Sequence, residues 1–431
     1  MHRTHVTACA AFAAVAVSLS TPAQAETLRI ATWNLGWHVA SDEVPAWIAQ
    51  CNKFYIKNPA TKAWDLAAEG ATSAKRGWEI TESRATLEGV NLSIMPPCSV
   101  YQTSGHKGIA VTPSAYAKRG QQLSQVLARD VQPDVIAFQE VSGTKAAVEA
   151  LGAAAGDYNV CSFDGKYKVQ RLAFAWRKKF GEAVEACRDI HEVSLPEAPA
   201  KDQVRPAYTV TLNLNGKKVR FLTVHLKSSC VSPLDRNPRR LDDASIEACA
   251  LLQQQVRPLE AAFETLGQGV DHFVVLGDFN RNLAHELNQV AGAEPTRSDG
   301  GTDLAKPLAT GARTRNLLLE INDGQPASSK AALLLPKCPG SAALEAACEA
   351  SKTGVPTAEQ QTLLGGKTGL GCRNPVGLDH ILVSQSLAAA VSNTIKVSIG
   401  PFGGSLLPSV NRPDPLLAVS DHCPLVADVQ F

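Results

Sequence analysis

The sequence predicts an α/β architecture, and three observations carry that expectation. Apolar runs of strand length recur at 28–33 (LRIATW), 134–139 (DVIAFQ), 171–176 (RLAFAW), 208–214, 219–226, 273–277 (FVVLG), 380–384 and 424–431. Between some of them, residues 115–131 and 246–266 place apolar side chains at helical spacing. Strands interleaved with helices indicate α/β. The third observation is LNLNGKKV at 212–219, which reads as a hairpin around Asn215-Gly216, so part of the sheet is antiparallel.

The first 25 residues stand apart from this rhythm. A short basic start (MHRTH), an apolar stretch and an A-x-A pattern in TPAQA read as a secretory signal peptide cleaved after Ala25. The apolar stretch is shorter than the roughly 20 residues a membrane span needs, and no later stretch is long and apolar enough. The expected location is therefore secreted or periplasmic. Of the 11 cysteines, Cys9 lies in the signal, and the remaining ten suggest up to five disulfides in an exported chain. Sequence does not fix their connectivity; neighbours such as Cys161 with Cys187, or Cys230 with Cys249, are possible pairs. With no C-x-x-C, a structural zinc or thioredoxin-like site is not expected.

Two segments break the pattern. Residues 41–113 carry Trp47, Trp64, Trp78, Cys51 and Cys98 with little regular period, and residues 283–371 are rich in Ala, Leu, Gly and Lys with Cys338 and Cys348. We read both as insertions on one core spanning 26–431, partly stapled by disulfides; a small second domain is the alternative. Removing residues 1–25 takes away Arg3 and no acid, leaving 41 basic and 41 acidic residues. Zero net charge argues against gripping nucleic acid by bulk electrostatics, but not against a locally basic groove.

The strand ends share a chemistry. LRIATW leads to Asn34 and DVIAFQ to Glu140; VRFLTVHL delivers His225, with Lys227 and Ser228 after it. FVVLG is followed by Asp278 and Asn280, Asp379 precedes HILVS, and Ser420, Asp421 and His422 precede PLVADV. Singly, each has an ordinary explanation: a turn residue, a helix cap, a structural histidine. Six such termini beside apolar strands point instead to a site, because loops at the ends of a rigid scaffold are where sites are built.

The set WNL, FQEV, VHLKS, GDFN, LDHILVS and SDHCPL, in this order, resembles the endonuclease/exonuclease/phosphatase superfamily, from about Leu28 to Phe431 with the two insertions unmatched. The resemblance implies a four-layer sandwich, with two mixed β-sheets face to face and helices outside, and divalent-metal hydrolysis of a phosphate ester. By the same resemblance Glu140 is the main metal ligand with Asn34 and Asp421 close by. Asp278 orients or deprotonates the attacking water, and Asn280 holds phosphate or metal. His422 stands beside the scissile phosphate with its tautomer fixed by Asp379, and His225 is a second phosphate-facing histidine. Either Asp278 or His422 is the base. Hard oxygen ligands without cysteine or a histidine cluster suit Mg2+, or Mn2+, rather than zinc. Arg171, Arg205 and Lys227 are weaker candidates for phosphate contacts, solvated surface charge being the alternative.

Other motifs fail on inspection. GGKTG has Gln361 where a P-loop needs glycine, HEVSL and HELNQ lack the second histidine of a zincin, and no G-x-S-x-G accompanies Ser420. The expected substrate is DNA or RNA, gripped through KYKVQR (166–171) and RNPRR (236–240). The alternative is a small or lipid phosphoester such as a phosphoinositide or sphingomyelin, with exposed apolar residues if it lies in a membrane. The three tryptophans of the first insertion either provide that surface or, as we favour, form the insertion's core. A third reading is an inactive binding protein on the same scaffold, which should have lost the site residues; all are present.

Overall fold

Period-2 alternation decides how the strands are layered. Leu28 and Ile30 fall on one face of the first strand, and Ala31, Trp33 and Leu35 on the other, yet all are buried. A strand buried on both faces belongs inside a layered structure rather than on its surface. The computed structural model describes residues 26–82, 85–101, 108–165, 170–230, 243–288, 317–353, 356–372, 374, 377–400, 402 and 414–431. The signal segment, residues 166–169 of KYKVQR and the whole of RNPRR lie outside the described residues.

In chain order the strands are β1 (Thr27–His38), β2 (Phe54–Lys57), β3 (Trp64–Ala67), β4 (Lys75–Arg76) and β5 (Val135–Val141). Then come β6 (Tyr158–Ser162), β7 (Arg171–Arg177), β8 (Glu185–Ile190), β9 (Ala207–Leu214) and β10 (Lys217–His225). The last are β11 (His272–Asp278), β12 (Ala331–Leu333), β13 (Asp379–Ser384), β14 (Val391–Lys396) and β15 (Leu425–Gln430). Two six-stranded sheets result, ordered β14-β15-β1-β5-β7-β6 and β12-β13-β11-β10-β9-β8. Both are mixed: β1 runs parallel to β5 and β10 parallel to β11, with antiparallel neighbours on either side.

The sheets face each other across one core. Leu28, Ile30, Val135, Phe174 and Leu425 of the first sheet meet Tyr208, Phe221, Val274 and Ile381 of the second. Each large apolar side chain buried here contributes roughly 1.5–3 kcal/mol. The outer face of the first sheet is covered by helices Pro113–Val126, Thr144–Leu151 and Ala342–Thr353. That of the second is covered by Asp243–Leu266 and Leu317–Ile321. This is the four-layer sandwich the resemblance implied. The hairpin forms where the sequence places it: β9 and β10 pair through Asn215 and Gly216, at φ 52° and 84°.

The stretch 41–113 contains a short helix, Val44–Cys51, and a three-stranded sheet ordered β3-β2-β4. Its core is Trp47, Trp64 and Trp78, all buried, so the tryptophans do not form an exposed apolar surface. Within 283–371, β12 joins the edge of the second sheet beside β13. Five disulfides are present: Cys51–Cys98, Cys161–Cys187, Cys230–Cys249, Cys338–Cys348 and Cys372–Cys423. Cys161–Cys187 ties β6 to β8 and so joins the two sheets at one edge. Among the described residues no helix is long and apolar enough to cross a membrane.

Gly277 shows how closely the central strands approach. At φ 143°, a Cβ built on it would lie 2.2 Å from the Val224 carbonyl oxygen on β10. Gly277→Ala therefore lowers the unfolding free energy by about 1–3 kcal/mol; an unchanged denaturant midpoint would show that β10 can yield.

Candidate active site

The face that packs sheet against sheet changes character along its length. On β1 it runs Leu28, Ile30, Thr32, Asn34; on β10, Val219, Phe221, Thr223, His225; on β11, Val274, Leu276, Asp278. The polar transition is bridged by Gln139 of β5, whose Nε2 donates to Thr32 Oγ1 at 2.9 Å and to Thr223 Oγ1 at 3.0 Å. One residue further along the same face the two sheets meet through charge and amide groups.

Register sets this cluster. His225 lies opposite Asp278, and Asp278 opposite Asp379, so three adjacent strands present side chains in a row. From the other sheet Asn34 Nδ2 donates to Asp278 Oδ2 at 2.9 Å. Asp278 Oδ1 accepts the Asn280 backbone N–H at 2.8 Å, and Asn280 Nδ2 donates to the Leu226 carbonyl. The Nε2 atoms of His225 and His422 stand 3.6 and 3.7 Å from Asp278 Oδ2. His225 Nε2 also faces Glu140 Oε1 at 3.5 Å.

Glu140 reaches this place through a bulge. Asn34 pairs with Gln139 and His38 with Val141, so Leu35, Gly36 and Trp37 all oppose Glu140. Gly36, Trp37 and Glu140 have φ of 60°, 56° and 56°, and bulges are a known device for re-aiming a side chain beside a site. The Trp37 N–H holds Glu140 Oε2 at 2.9 Å. Gly36 has a reason to lack a side chain, since a Cβ there would come within 3.3 Å of Asp421 Oδ1.

Asp421 and His422 lie on a loop. Ser420 Oγ donates to the Asn34 carbonyl and accepts the His422 N–H, while Trp33 Nε1 donates to the His422 carbonyl. Asn374 Nδ2 stands 3.2 Å from Asp421 Oδ2 and 3.4 Å from His422 Nε2. His422 Nδ1 meets both Asp379 oxygens at 3.0 and 3.1 Å, and Asp379 Oδ2 also accepts from Lys396 Nζ at 2.8 Å. A cavity of about 750 Å³ opens above, lined by Glu140, His225, Asp278, Asn280, Asp421, His422 and Arg205.

The profile of the Endonuclease/Exonuclease/phosphatase family matches residues 107–422. The chain belongs to that family. Its members are metal-dependent phosphoester hydrolases, and so is this protein. No curated protein matches it. Among solved structures it is similar to a Bacteroides thetaiotaomicron family protein, at 14% identity over 95% of this chain and 96% of the other, with a TM-score of 0.41. A mannosyl-6-phosphatase of the same organism gives 16% identity over 74% and 96%, TM-score 0.38. D. rerio TDP2 complexed with single-strand DNA product gives 15% over 73% and 92%, TM-score 0.37.

In this endonuclease/exonuclease/phosphatase protein the cavity offers hard oxygen donors suited to a divalent cation. Glu140 is pushed up to about 7, first by burial and then by the Asp421 carboxylate. Glu140 and Asp421 both line the cavity; Asn34 does not, and its Oδ1 accepts the Gly36 N–H at 3.0 Å. Asp278, Asp379 and His422 also bring ligand atoms within 4.8 Å of one another. They fit a cation poorly, because Asp379 is engaged by the Lys396 ammonium and His422.

Of the phosphate-contact candidates, Arg205 lines the cavity, but Arg171 and Lys227 are not among its lining residues. Arg171 donates to the Gly165 carbonyl and Lys227 Nζ to that of Ser228. Arg205 is held by the carbonyls of His225 and Leu226 and by Gln170 Oε1. Sequence reasoning missed Lys396, Arg119, Asn374 and Trp37. Arg119 is buried, bonded to the carbonyls of Leu35, Gly36 and Ala418. It sits on an amphipathic helix where a solvent-facing arginine is expected, and Lys396 ends a strand without a motif. Trp37 did carry a signal, its adjacency to WNL.

Lys396 and Asp379 are both fully buried. Removing one partner of such a pair leaves an uncompensated charge and costs about 3–5 kcal/mol. Lys396→Met is expected to destabilise the protein by that amount in chemical denaturation, and adding Asp379→Asn to recover part of it. No recovery in the double variant would mean that Lys396 acts through packing alone.

Proposed function

We propose that this protein is an exported nuclease that hydrolyses phosphodiester bonds of DNA or RNA with a bound magnesium or manganese ion. A single catalytic unit spanning 26–431 carries insertions at about 41–113 and 283–371. One observation carries the reading: two histidine Nε2 atoms converge within 3.7 Å of one buried carboxylate oxygen, beside Glu140, at the floor of a cavity. The five disulfides support export.

The cavity's charge suits a phosphate ester. The cationic side chains lining the cavity, among the described residues, are Arg119, Arg205 and His422. Both guanidiniums are fixed by backbone carbonyls, which leaves their charge in place, so with His422 they make the cavity a site for a phosphate ester. Trp37, whose backbone N–H holds Glu140, is half-buried in the cavity lining and supplies an aromatic ring of the kind that stacks on bases. A lipid phosphoester is the second reading, favoured by the apolar Ile80, Leu87 and Val90 that also line the cavity.

Asn34, Glu140 and Asp421 would hold the ion, which when bound supplies Lewis-acid polarisation and neutralises developing charge. Asp278 is the base. Burial foremost raises it to about 6, against the pull of His422, so it is ionised at neutral pH yet able to accept a proton from water. Burial disfavours the His422 cation, but Asp379 and then Asp278 outweigh this and raise it to about 10. His422 therefore stays an imidazolium and donates to a phosphate oxygen. Burial and then Arg205 hold His225 well below its ordinary value, so it is neutral. With carboxylates at Nε2 its N–H sits on that nitrogen, a donor for developing negative charge. Asn280 fixes the Asp278 carboxylate.

With supercoiled plasmid and a generic aryl phosphodiester, Asp278→Asn and His422→Ala are each expected to lower turnover about 10²–10⁴-fold with an unchanged circular-dichroism spectrum. Near-native turnover in either variant would remove that residue from the mechanism. Because Glu140 titrates at about 7, cation binding below that pH must displace its proton. Affinity for Mg2+ should rise with pH through 7. Calorimetry in buffers of different ionisation enthalpy should show proton release at pH 6 that fades by about pH 8 and is lost in Glu140→Gln. Release that persists in Glu140→Gln would assign the proton elsewhere.

A further inference from the structure

We infer that the first insertion roofs the active site and confines the enzyme to unpaired nucleic acid, with Trp37 as the platform for a base next to the scissile phosphate. The inference rests on the nuclease reading and names its substrate class. The cavity, about 750 Å³, is lined both by the proposed catalytic groups and by Ile80, Leu87, Val90 and Leu92 of the insertion. That volume lies within the roughly 300–1,000 Å³ of pockets that enclose small ligands. It suits one nucleotide unit entering from a single strand, not a tract of stacked, paired bases.

The roof is built as part of the scaffold. Trp47 and Trp78 pack edge-on at 5.5 Å, and the cluster continues into Ala115 and Tyr116 of the helix Pro113–Val126. Cys51–Cys98 closes it covalently, and Gly77 lies so close to Cys51 that a Cβ would come 2.8 Å from its carbonyl oxygen. Gln50 Nε2 bonds the Glu88 carbonyl at 2.8 Å, fixing the segment that supplies the wall. A roof with its own core does not swing aside for a duplex.

Trp37 stands where the base of a bound strand would lie. It follows Asn34 by three residues, holds Glu140 through its N–H, and lines the cavity half-buried. Its φ of 56° is a conformation that a bulky residue adopts at a cost, and such outliers gather at functional sites.

The test uses the disulfide-intact mature protein with Mg2+. A labelled oligonucleotide is offered alone and annealed to its complement, beside sphingomyelin vesicles. Thymidine 5′-(p-nitrophenyl phosphate) is compared with methyl p-nitrophenyl phosphate, which lacks a base. The expected results are single-strand cleavage at least ~10-fold faster than duplex cleavage, and kcat/KM about tenfold higher for the base-bearing probe. That ratio should fall to about one in Trp37→Ala and persist in Trp37→Phe. Equal cleavage of both oligonucleotide forms overturns the inference and leaves the nuclease reading standing. An equal loss on both small probes in Trp37→Ala, with the ratio kept, assigns Trp37 a structural role and also overturns it. Vesicle hydrolysis with both oligonucleotides uncut overturns the nuclease reading itself.

Discussion

Four ionisable groups, Lys396, Asp379, His422 and Asp278, lie in a buried row, and their alternating charge is what permits it. A lone buried charge is expensive and would neutralise by shifting its pKa. Here each anion has a cation beside it. Burial pushes Asp379 up, but Lys396 and then His422 hold it well below the ordinary carboxylate range. Asp379 in turn keeps His422 positive. The end of the row is Asp278, shared between the sheets through Asn34. The reactive end therefore depends on a lysine that never reaches the cavity.

The sandwich supplies the rest by simple periodicity. Side chains alternate across a strand, so the residues that continue the inter-sheet core towards the strand ends must point at one another. Replacing apolar residues there by Thr32, Gln139 and Thr223 lets polar groups enter without orphaned donors. Beyond them Asn34, His225, Asp278 and Asp379 converge because their strands are in register, not because they are near in sequence. Only Glu140 needs a separate device, the bulge opposite Gly36 and Trp37.

Legibility in the sequence followed the same physics. The eight apolar runs are strands buried within the two sheets, and each announced itself by composition. The strands of these two sheets that went unread, β6, β8, β12 and β14, all lie at sheet edges. In β8, Cys187 and Ile190 are half-buried between exposed residues, which leaves no apolar period to detect. At the site, residues in motifs at strand ends were readable because the motif and the strand end coincide. Lys396 and Arg119 were not, since a buried cation looks like a surface one until its partners are known. The converse holds for Arg171 and Lys227, cationic and placed at strand ends but turned to backbone carbonyls. The first insertion was opaque because its stability comes from a tryptophan cluster and a disulfide, neither of which has a period.

Asp421 and His422 lack the help of a ladder, and their placement shows what must replace it. The loop is fixed from several sides: Ser420 on Asn34, Trp33 on the His422 carbonyl, and the Asn374 N–H on the Asp421 carbonyl at 2.7 Å. Cys423, the next residue, is bonded to Cys372, two residues before Asn374. The covalent link thus spans the two segments whose side chains meet at the Asp421 carboxylate. A loop held by hydrogen bonds alone would reach many geometries of similar energy, and closing it with a disulfide removes most of them from the unfolded ensemble. In the strand-borne half of the site, register does the positioning that oxidation of Cys372 and Cys423 does in the loop-borne half. The complete arrangement therefore needs the Cys372–Cys423 bond as well as the strand register.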